Sequence, residues 1–562
     1  MTNTERTLRL QALTRQAETV ILSRQDATTG LLPASTAITV HGDYTHAWVR
    51  DNVYSIVAVW ALALAWRNHD DTHDETRAEA LAGRVEHLMR GLLAAMMRQA
   101  HKVERFKHTQ DPLDALHAKY ATTTGEPVVG DDAWGHLQID ATAIFVLMLA
   151  RMSDTGLSIV REPREMAFVQ NLVHYLSQAW RTPDFGIWER GHKRNEGVAE
   201  INASSVGMAK AALQAIAGFE ALPGECPPVQ VLEDDVAHAR ETLEGLLPRE
   251  SASKETDAAL LAVIGFPAFA VDDPALAART RDEIIAKLEG RCGCKRFLRD
   301  GHQTTIEDHA RLHYEPGELQ RFEHIESEWP LFFTYLLIDA VLAGDTARAL
   351  HYRERLDALA VERDGEHLLP ELYRVPKDAI EAEREAPQSQ AREPNENVPL
   401  VWAQSLYLTG VLLQEGFIEA QVLRPADAPR RPVTVQLALI AADALVQARL
   451  AAAGIESELS EQLGEVRVLC AQSLQTALAS LGRDDSLGLS GRPMHRLGSL
   501  TTSVVYTLGD DVRVMLPALF DRPGFYLRLD NRLLVDEIGA EIAYLRRHWR
   551  APGRPLLALW IS

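Results

Sequence analysis

Two glutamates carry the most chemical promise in this chain. Glu189 lies in Gly186-Ile187-Trp188-Glu189-Arg190-Gly191, and Glu371 in Leu369-Pro370-Glu371-Leu372-Tyr373. Two carboxyls from distant stretches of chain, brought into one cleft, are the equipment for acid/base work on a glycosidic bond. The residue types around them suit a sugar: tryptophan faces stack on pyranose rings, while Asp, Arg and Lys side chains bond to hydroxyls. Such residues recur in His46-Ala47-Trp48-Val49-Arg50-Asp51, His117-Ala118-Lys119-Tyr120 and Trp134-Gly135-His136-Leu137-Gln138-Ile139-Asp140. Trp188, Arg296-Phe297, Arg321-Phe322 and Trp402-Ala403-Gln404 continue the series. Singly, each has a plainer reading. Glu189 alone is a solvated loop carboxylate, and Asp51 is a favourable charge at a helix start. Trp48, Trp134 and Trp188 serve as core anchors, Asp131-Asp132 makes a turn, and His46, His117 and His136 are packed or hydrogen-bonded. What points to function is where they all fall.

The positioning elements are helices. Helical periodicity predicts a dozen of them, at about 4–24, 52–68, 76–100, 138–153, 163–181, 203–220, 231–247, 254–264, 272–289, 328–343, 346–360 and 399–416. The second, fourth and tenth are apolar nearly all round, so they must be buried on all faces. Connections after even-numbered helices are short. Most of those after odd-numbered helices are long: 25–51, 101–137, 182–202, 290–327 and 361–398. Consecutive, compactly joined helices run antiparallel, so the long connections share one end of the stack, and every candidate residue lies in or beside one of them. Buried helices alternating with amphipathic ones predict a mainly α fold, a double barrel of six helix pairs over residues 1–425. The charged segment Lys377–Asn397 is expected to be a mobile flap or a poorly ordered loop. After the turn-rich RPADAPRRP the pattern changes. Strands at Ser503–Leu508 and Val512–Leu519 flank a turn at Gly509-Asp510-Asp511; a further strand at Phe525–Leu529, a helix at Leu534–Trp549 and a short run at Leu556–Trp560 follow. Residues 426–562 are expected to form a smaller α+β domain.

Composition narrows the partners. In 562 residues the formal net charge is −21, with 46% hydrophobic and 24% charged residues. Such a globular chain repels nucleic acid and anionic membrane alike but accepts a neutral glycan. Four cysteines make no disulfide framework, and Cys292 and Cys294 lack a second ligand pair at zinc spacing. No metal and no cofactor are expected. The N-terminus has no apolar signal stretch, and the longest apolar run, Val53–Trp66, is too short for a bilayer, so a cytoplasmic protein is expected. There is no Walker A loop and no HExxH motif.

These strings also resemble a known family. Trp134–Asp140 is similar to the W-G-x-x-Q-x-D of glycoside hydrolase family 15, the glucoamylase type. Trp48–Asp51 resembles its W-T-R-D, Gly186–Glu189 its W-E acid motif, Leu369–Glu371 its L-P-E-Q base motif, and Pro399–Trp402 its P-L-x-W. Longer strings, among them HAWVRDNVYS, VVGDDAWGHLQID and LPELYRVP, resemble the phosphorylase kinase α/β regulatory subunit family, as do LSGRP, FYLRLDN and AYLRRHWR in the second domain. The resemblance implies an (α/α)6 barrel with Glu189 as general acid and Glu371 as general base. It implies that Arg50 and Asp51 hold a terminal glucose, with Trp48, Lys119, Trp134, Asp140, Trp188, Trp402 and one of Arg296 and Arg321 lining the site. Two departures bear on this: Leu372 follows Glu371 where the family has Gln, and Arg190 follows Glu189 where fungal members have a second carboxylate.

Two readings result. One is inverting, exo-acting hydrolysis of α-glucosidic bonds in α-glucans or malto-oligosaccharides. The other is a non-catalytic glycan-sensing or regulatory protein of glycogen metabolism. Both keep an α-glucan as ligand, and either admits a protein partner or a homo-oligomer.

Overall fold

The computed structural model describes residues 2–35, 38–39, 42–69, 72–194, 197–308, 311, 313–424, 433–503, 505–508, 511–515, 531–551 and 553–562. The expected strand at 525–529 and the turn residues 509–510 lie outside them. The protein is mainly helical. Among the described residues, fourteen helices precede residue 420: α1 Asn3–Val20, α2 Val49–Arg67, α3 Thr72–Met97, α4 Ala100–Thr109, α5 Ile139–Asp154, α6 Pro163–Ala179, α7 Ala203–Ile216, α8 Glu233–Leu246, α9 Leu261–Ile264, α10 Pro274–Leu288, α11 Leu331–Leu342, α12 Thr346–Leu359, α13 Ile380–Glu385 and α14 Val401–Gln414.

The helices apolar on all faces are the buried ones. In α2 every residue from Val49 to Trp66 except Asp51 is buried, and α5, α7, α11 and α14 are buried over nearly their whole lengths. They pack in a closed series: α2 on α5, α5 on α7, α7 on α9, α9 on α11, α11 on α14, and α14 back on α2. Amphipathic helices flank them, with α1 against α2 and α14, α3 against α2, α10 against α9, and α12 against α11.

The structure departs from the sequence reading in several places. The helix expected over 254–264 shrinks to a 3-10 turn at Ala258–Leu260 and one turn of α9, because Asp257 caps Ala259 N–H and stops earlier residues from joining. The connection expected over 101–137 begins with α4, whose buried Val103, Phe106 and Lys107 give it a packed face. Residues 377–397 are ordered: they hold α13 and a strand, Glu393–Pro394, paired antiparallel with Tyr373–Arg374. Charged composition suggested a flap, yet Glu383 and Arg392 are buried as each other's counter-ions.

Two compact units emerge. One comprises residues 1–161, 175–216 and 239–425; the other comprises 162–174, 217–238 and 426–562. The single boundary expected at 425/426 is thus crossed by two earlier segments. Among its described residues the second unit holds two three-stranded sheets. In one, Gln436–Ala441 lies between Glu458–Leu459 and Leu556–Ile561, all parallel. In the other, Asp511–Met515 lies between Arg467–Leu469 and Val505–Leu508. Leu545 of its helix Asn531–His548 and Trp549 just past the helix end pack against Ala237 and Leu500. Among the described residues no helix is long and apolar enough to cross a membrane.

Candidate functional site

The first turns of α2, α5 and α14 and the connections before α2, α5, α7, α11 and α14 supply the candidate residues. Arg50 forms the centre. It is 3% exposed; one guanidinium nitrogen donates to Asp140 Oδ2 at 2.9 Å and the other to Glu189 Oε1 at 3.0 Å. Asp140 is buried, whereas the Glu189 side chain keeps 22% of its surface open. Arg50 thereby ties the start of α2 to the start of α5 and to the acid loop.

Glu189 sits at φ +68°, a left-handed conformation that a side chain adopts only when its surroundings enforce it. Its N–H bonds to Gly186 O at 3.0 Å, and Gly191, at φ +65°, closes the turn through Phe185 O at 2.9 Å. A Cβ on Gly191 would lie 2.1 Å from Val198 O. Gly191→Ala should therefore displace the acid turn and cost about 1–3 kcal/mol, since a left-handed φ and a backbone clash add. Thermal unfolding checks it; an unchanged melting temperature would refute the packing argument.

Burial raises the proton affinity of the Glu189 carboxyl above the ordinary range; Arg50, Lys119 and Arg190 pull it back, and Asp140 pushes it up. Asp51 is raised to about 7 by burial, with Arg50 opposing and the charges of Glu189 and Glu371 reinforcing. The Tyr44 hydroxyl also feels both glutamates. Glu189 and Glu371, 182 positions apart by numbering (371 − 189), thus act on one pair of groups.

Glu371 is 3% exposed. Its Oε1 accepts from Tyr44 at 3.1 Å; its Oε2 accepts from Gln303 at 3.0 Å, Asn395 at 2.7 Å and Asn397 at 3.3 Å. Burial pushes its carboxyl up, and these four donors hold it down.

The aromatic residues divide into two groups. Trp48 and Trp134 meet edge to face, ring centroids 6.4 Å apart, with Lys119 Nζ 5.0 Å from the first ring and 3.9 Å from the second. Trp188 is held differently. Its indole N–H donates to Asp257 at 2.9 Å, and the Arg296 guanidinium lies 4.8 Å from its ring. Arg296 is bonded twice to Asp300, at 2.6 and 2.9 Å. Trp188, Arg190, Arg296, Asp300, His302 and Glu307 help line a pocket with about 390 Å³ of unfilled space, part of it open to solvent.

The two arginines left open by the sequence separate here. Arg296 lines the pocket, whereas Arg321 stands on the surface, its side chain 55% exposed beside Glu318. Trp402 is packed rather than presented: it is 5% exposed, stacks on Tyr54 at 4.5 Å and donates to the Tyr335 hydroxyl. His117 and His136 stack 3.8 Å apart, with His117 bonded to Asp131 at 2.6 Å. The four cysteines are free thiols.

Sequence reasoning missed Tyr44, Asp257, Gln303, Asn395 and Asn397. None belongs to a recognisable motif, and they reach their partners from four separate stretches of chain, Asn395 and Asn397 sharing one. The one usable signal was Asn395-Glu396-Asn397, two amides one strand period apart.

Arg50 and Asp140 thus stand in the first turns of α2 and α5, and Glu189 and Glu371 in the loops before α7 and α14. The chain belongs to the glycosyl hydrolases family 15, whose model matches residues 7–550. It is 46% identical to the phosphorylase b kinase regulatory subunit alpha, skeletal muscle isoform, of Oryctolagus cuniculus, over 99% of this chain and 45% of that one. It is 45% identical to the probable alpha subunit of Drosophila melanogaster, over 98% and 45%. The chain thus spans under half the length of these relatives. A solved wild-type glycosidase shares the fold, with a TM-score of 0.52 and 21% identity over 74% of this chain and 99% of that one.

Proposed function

We propose that this chain is a glycan-sensing regulatory protein of glycogen metabolism, which holds the end of an α-glucan or malto-oligosaccharide in the Arg50 cleft. The observation that carries this reading is the 46% identity to regulatory subunits across both units of the chain. The cleft supports a sugar ligand: Arg50, Asp51 and Lys119 offer charged donors and acceptors beside the faces of Trp48, Trp134 and Trp188. In this reading the helical ring is an (α/α)6 double barrel, residues 426–562 belong to a smaller domain together with 162–174 and 217–238, and a protein partner receives the signal. Arg321 and Trp402, sugar contacts by family likeness, take supporting roles.

Inverting hydrolysis is the second reading, favoured by one observation: the proton affinity of Glu189 is raised, as a general acid requires. Glu189 would protonate the glycosidic oxygen as the C–O bond breaks. Glu371 would take a proton from water as its oxygen attacks the opposite face, which needs the carboxyls roughly 6.5–9.5 Å apart. The first sugar released would be the β-anomer.

One pair of measurements separates these readings. Calorimetry with the maltose series should show binding that Asp51→Ala weakens at least about tenfold, the scale of one charged hydrogen bond. Reducing-sugar release from α-glucans should be no greater than that of Glu189→Gln. Release that Glu189→Gln abolishes, with the β-anomer first by proton NMR, would establish the second reading. No binding across the series would sink both.

A further inference from the structure

Glu371 is a buried carboxylate caged by neutral donors. Among the described residues its hydrogen-bond partners are the side chains of Tyr44, Gln303, Asn395 and Asn397. Leu372, next in the chain, is fully buried and offers no side-chain donor. An ionised carboxylate removed from water needs either a counter-ion or several well-placed donors. The donors are distributed unevenly. A carboxylate oxygen has about two lone-pair sites. Oε2 receives three amide N–H groups, so it is fully engaged, whereas Oε1 receives only the Tyr44 hydroxyl and keeps one acceptor site open.

Two of the amides come from the segment that its charged composition marked as a flap. Asn395 and Asn397 are buried, and the backbone seals them in place: Asn395 N–H bonds to Leu372 O and Glu371 N–H to Asn397 O, each at 3.0 Å. Asn395 also donates to Gln303 Oε1 at 3.0 Å, which fixes the third amide. A buried ion trio holds the same segment further back. Arg392, its side chain 2% exposed, lies 3.1 Å from Glu328 and 3.4 Å from Glu383, both carboxylate side chains 0% exposed. Glu383 also accepts from the N–H groups of Gln388 and Gln390, each at 2.9 Å. Glu328 sits on the loop entering α11, so the trio clamps the segment to the helical ring.

We propose that Gln303, Asn395 and Asn397 are the positioning residues of Glu371: they favour its anionic form and fix the orientation of its carboxyl, and two of them do so only while the Glu328–Arg392–Glu383 trio keeps their segment docked. Undocking the segment strips two of the four donors from Glu371, which makes this side of the cleft conditional on a segment further along the chain. The charged and titratable groups facing Glu371 are Asp51, the Tyr44 hydroxyl, and His302 beside Gln303. The role of Glu371 toward sugar rests on the reading above; its amide cage does not, and the test keeps the two apart.

The test is the pH dependence of stability, which requires no ligand. Asn395→Leu should raise the carboxyl further above its unfolded value. Such a group stabilises the fold fully below the unfolded pKa and loses that contribution as pH rises through the folded pKa. Thermal unfolding of the full chain should therefore show Asn395→Leu costing about 3 °C more at pH 8 than at pH 4.5. In a Glu371→Gln background the excess should vanish. Equal losses at both pH values, or an excess that persists in the Glu371→Gln background, where a neutral amide replaces the carboxylate, would overturn the proposal. Should Asn395→Leu fail to fold, Asn397→Ala and Gln303→Ala apply the same test. Arg392→Met should reproduce the excess and speed hydrogen exchange across 393–398; protection unchanged there would remove the trio from the scheme. Titrating 1-deoxynojirimycin, a cationic sugar mimic, then reports separately on the cleft: no binding to the wild type sinks the glycan reading and leaves the stability test standing.

Discussion

Arg50→Met should cost about 3–5 kcal/mol of folding stability, the largest loss expected from any single change in the cleft. The reason is what it leaves behind. Asp140 is buried with its side chain 4% exposed, and Arg50 is its ion-pair partner at 2.9 Å. Methionine fills similar volume but strands that carboxylate, and it frees Glu189 from the fixed end of α2. Much of the loss is the penalty on Asp140, so Arg50→Met combined with Asp140→Asn should recover a good part of it. Urea unfolding at pH 7 of the two variants and the wild type checks the expectation. A single-variant loss below about 1 kcal/mol, the scale of an exposed pair, would mean that the cleft is wetter than its packing indicates.

The second large effect is a dependence on pH. Asp51 is raised from 3.8 to about 7. The folded state therefore binds this proton more tightly than the unfolded state does. Its contribution is fully present below about pH 4 and is lost as pH rises through about 7. Asp51→Asn should flatten that loss, making the variant more stable than the wild type at pH 8 by about 1–3 kcal/mol, since a pKa unit is worth ~1.4 kcal/mol and Asp51 is partly open to water. Asp184 and Asp257, each raised to about 6, and Glu250, raised to about 8, act with the same sign. Asp51→Asn should consequently keep part of this loss between pH 4 and pH 8, partly offset by His136, His117 and His101, whose proton affinity burial lowers and which act with the opposite sign. Unfolding curves for wild type and Asp51→Asn that stay parallel from pH 4 to pH 8 would refute the assignment.

Much of this architecture was legible because long apolar stretches leave little choice. A helix such as Val49–Arg67, with no polar face, has to be enclosed, and enclosing several such helices requires an outer set. Trp48, Arg50, Trp134 and Glu189 were legible because distinctive residue types stood together in short strings. The donors around Glu371 were not, because an asparagine has no meaning until its partner is known. Asn395 and Gln303 reach Glu371 from positions 24 and 68 residues away, respectively. Composition misled at 377–397 for a physical reason: a run of Glu and Arg is usually solvated, but Arg392 and Glu383 neutralise each other and pack. The short parallel strands at 458–459 and 467–469 escaped because two or three residues carry no periodicity.

The second unit draws on residues 162–174 and 217–238 as well as 426–562. Leu232 shares a cluster with Leu474 and Leu478, and the Asp234 carboxylate accepts the N–H groups of Leu500 and Thr501 at 3.0 and 3.1 Å. On a ribosome, then, Leu232 and Asp234 emerge some 240 residues before the groups that satisfy them. The nascent chain must carry an apolar side chain and an uncapped acid through that stretch of its synthesis. A gene fragment ending near codon 425 would keep them permanently in that state, and one beginning there would lack them. The two units are therefore a single inheritable block: recombination can exchange the pair, but a cut near residue 425 leaves the second unit's interior divided between two fragments.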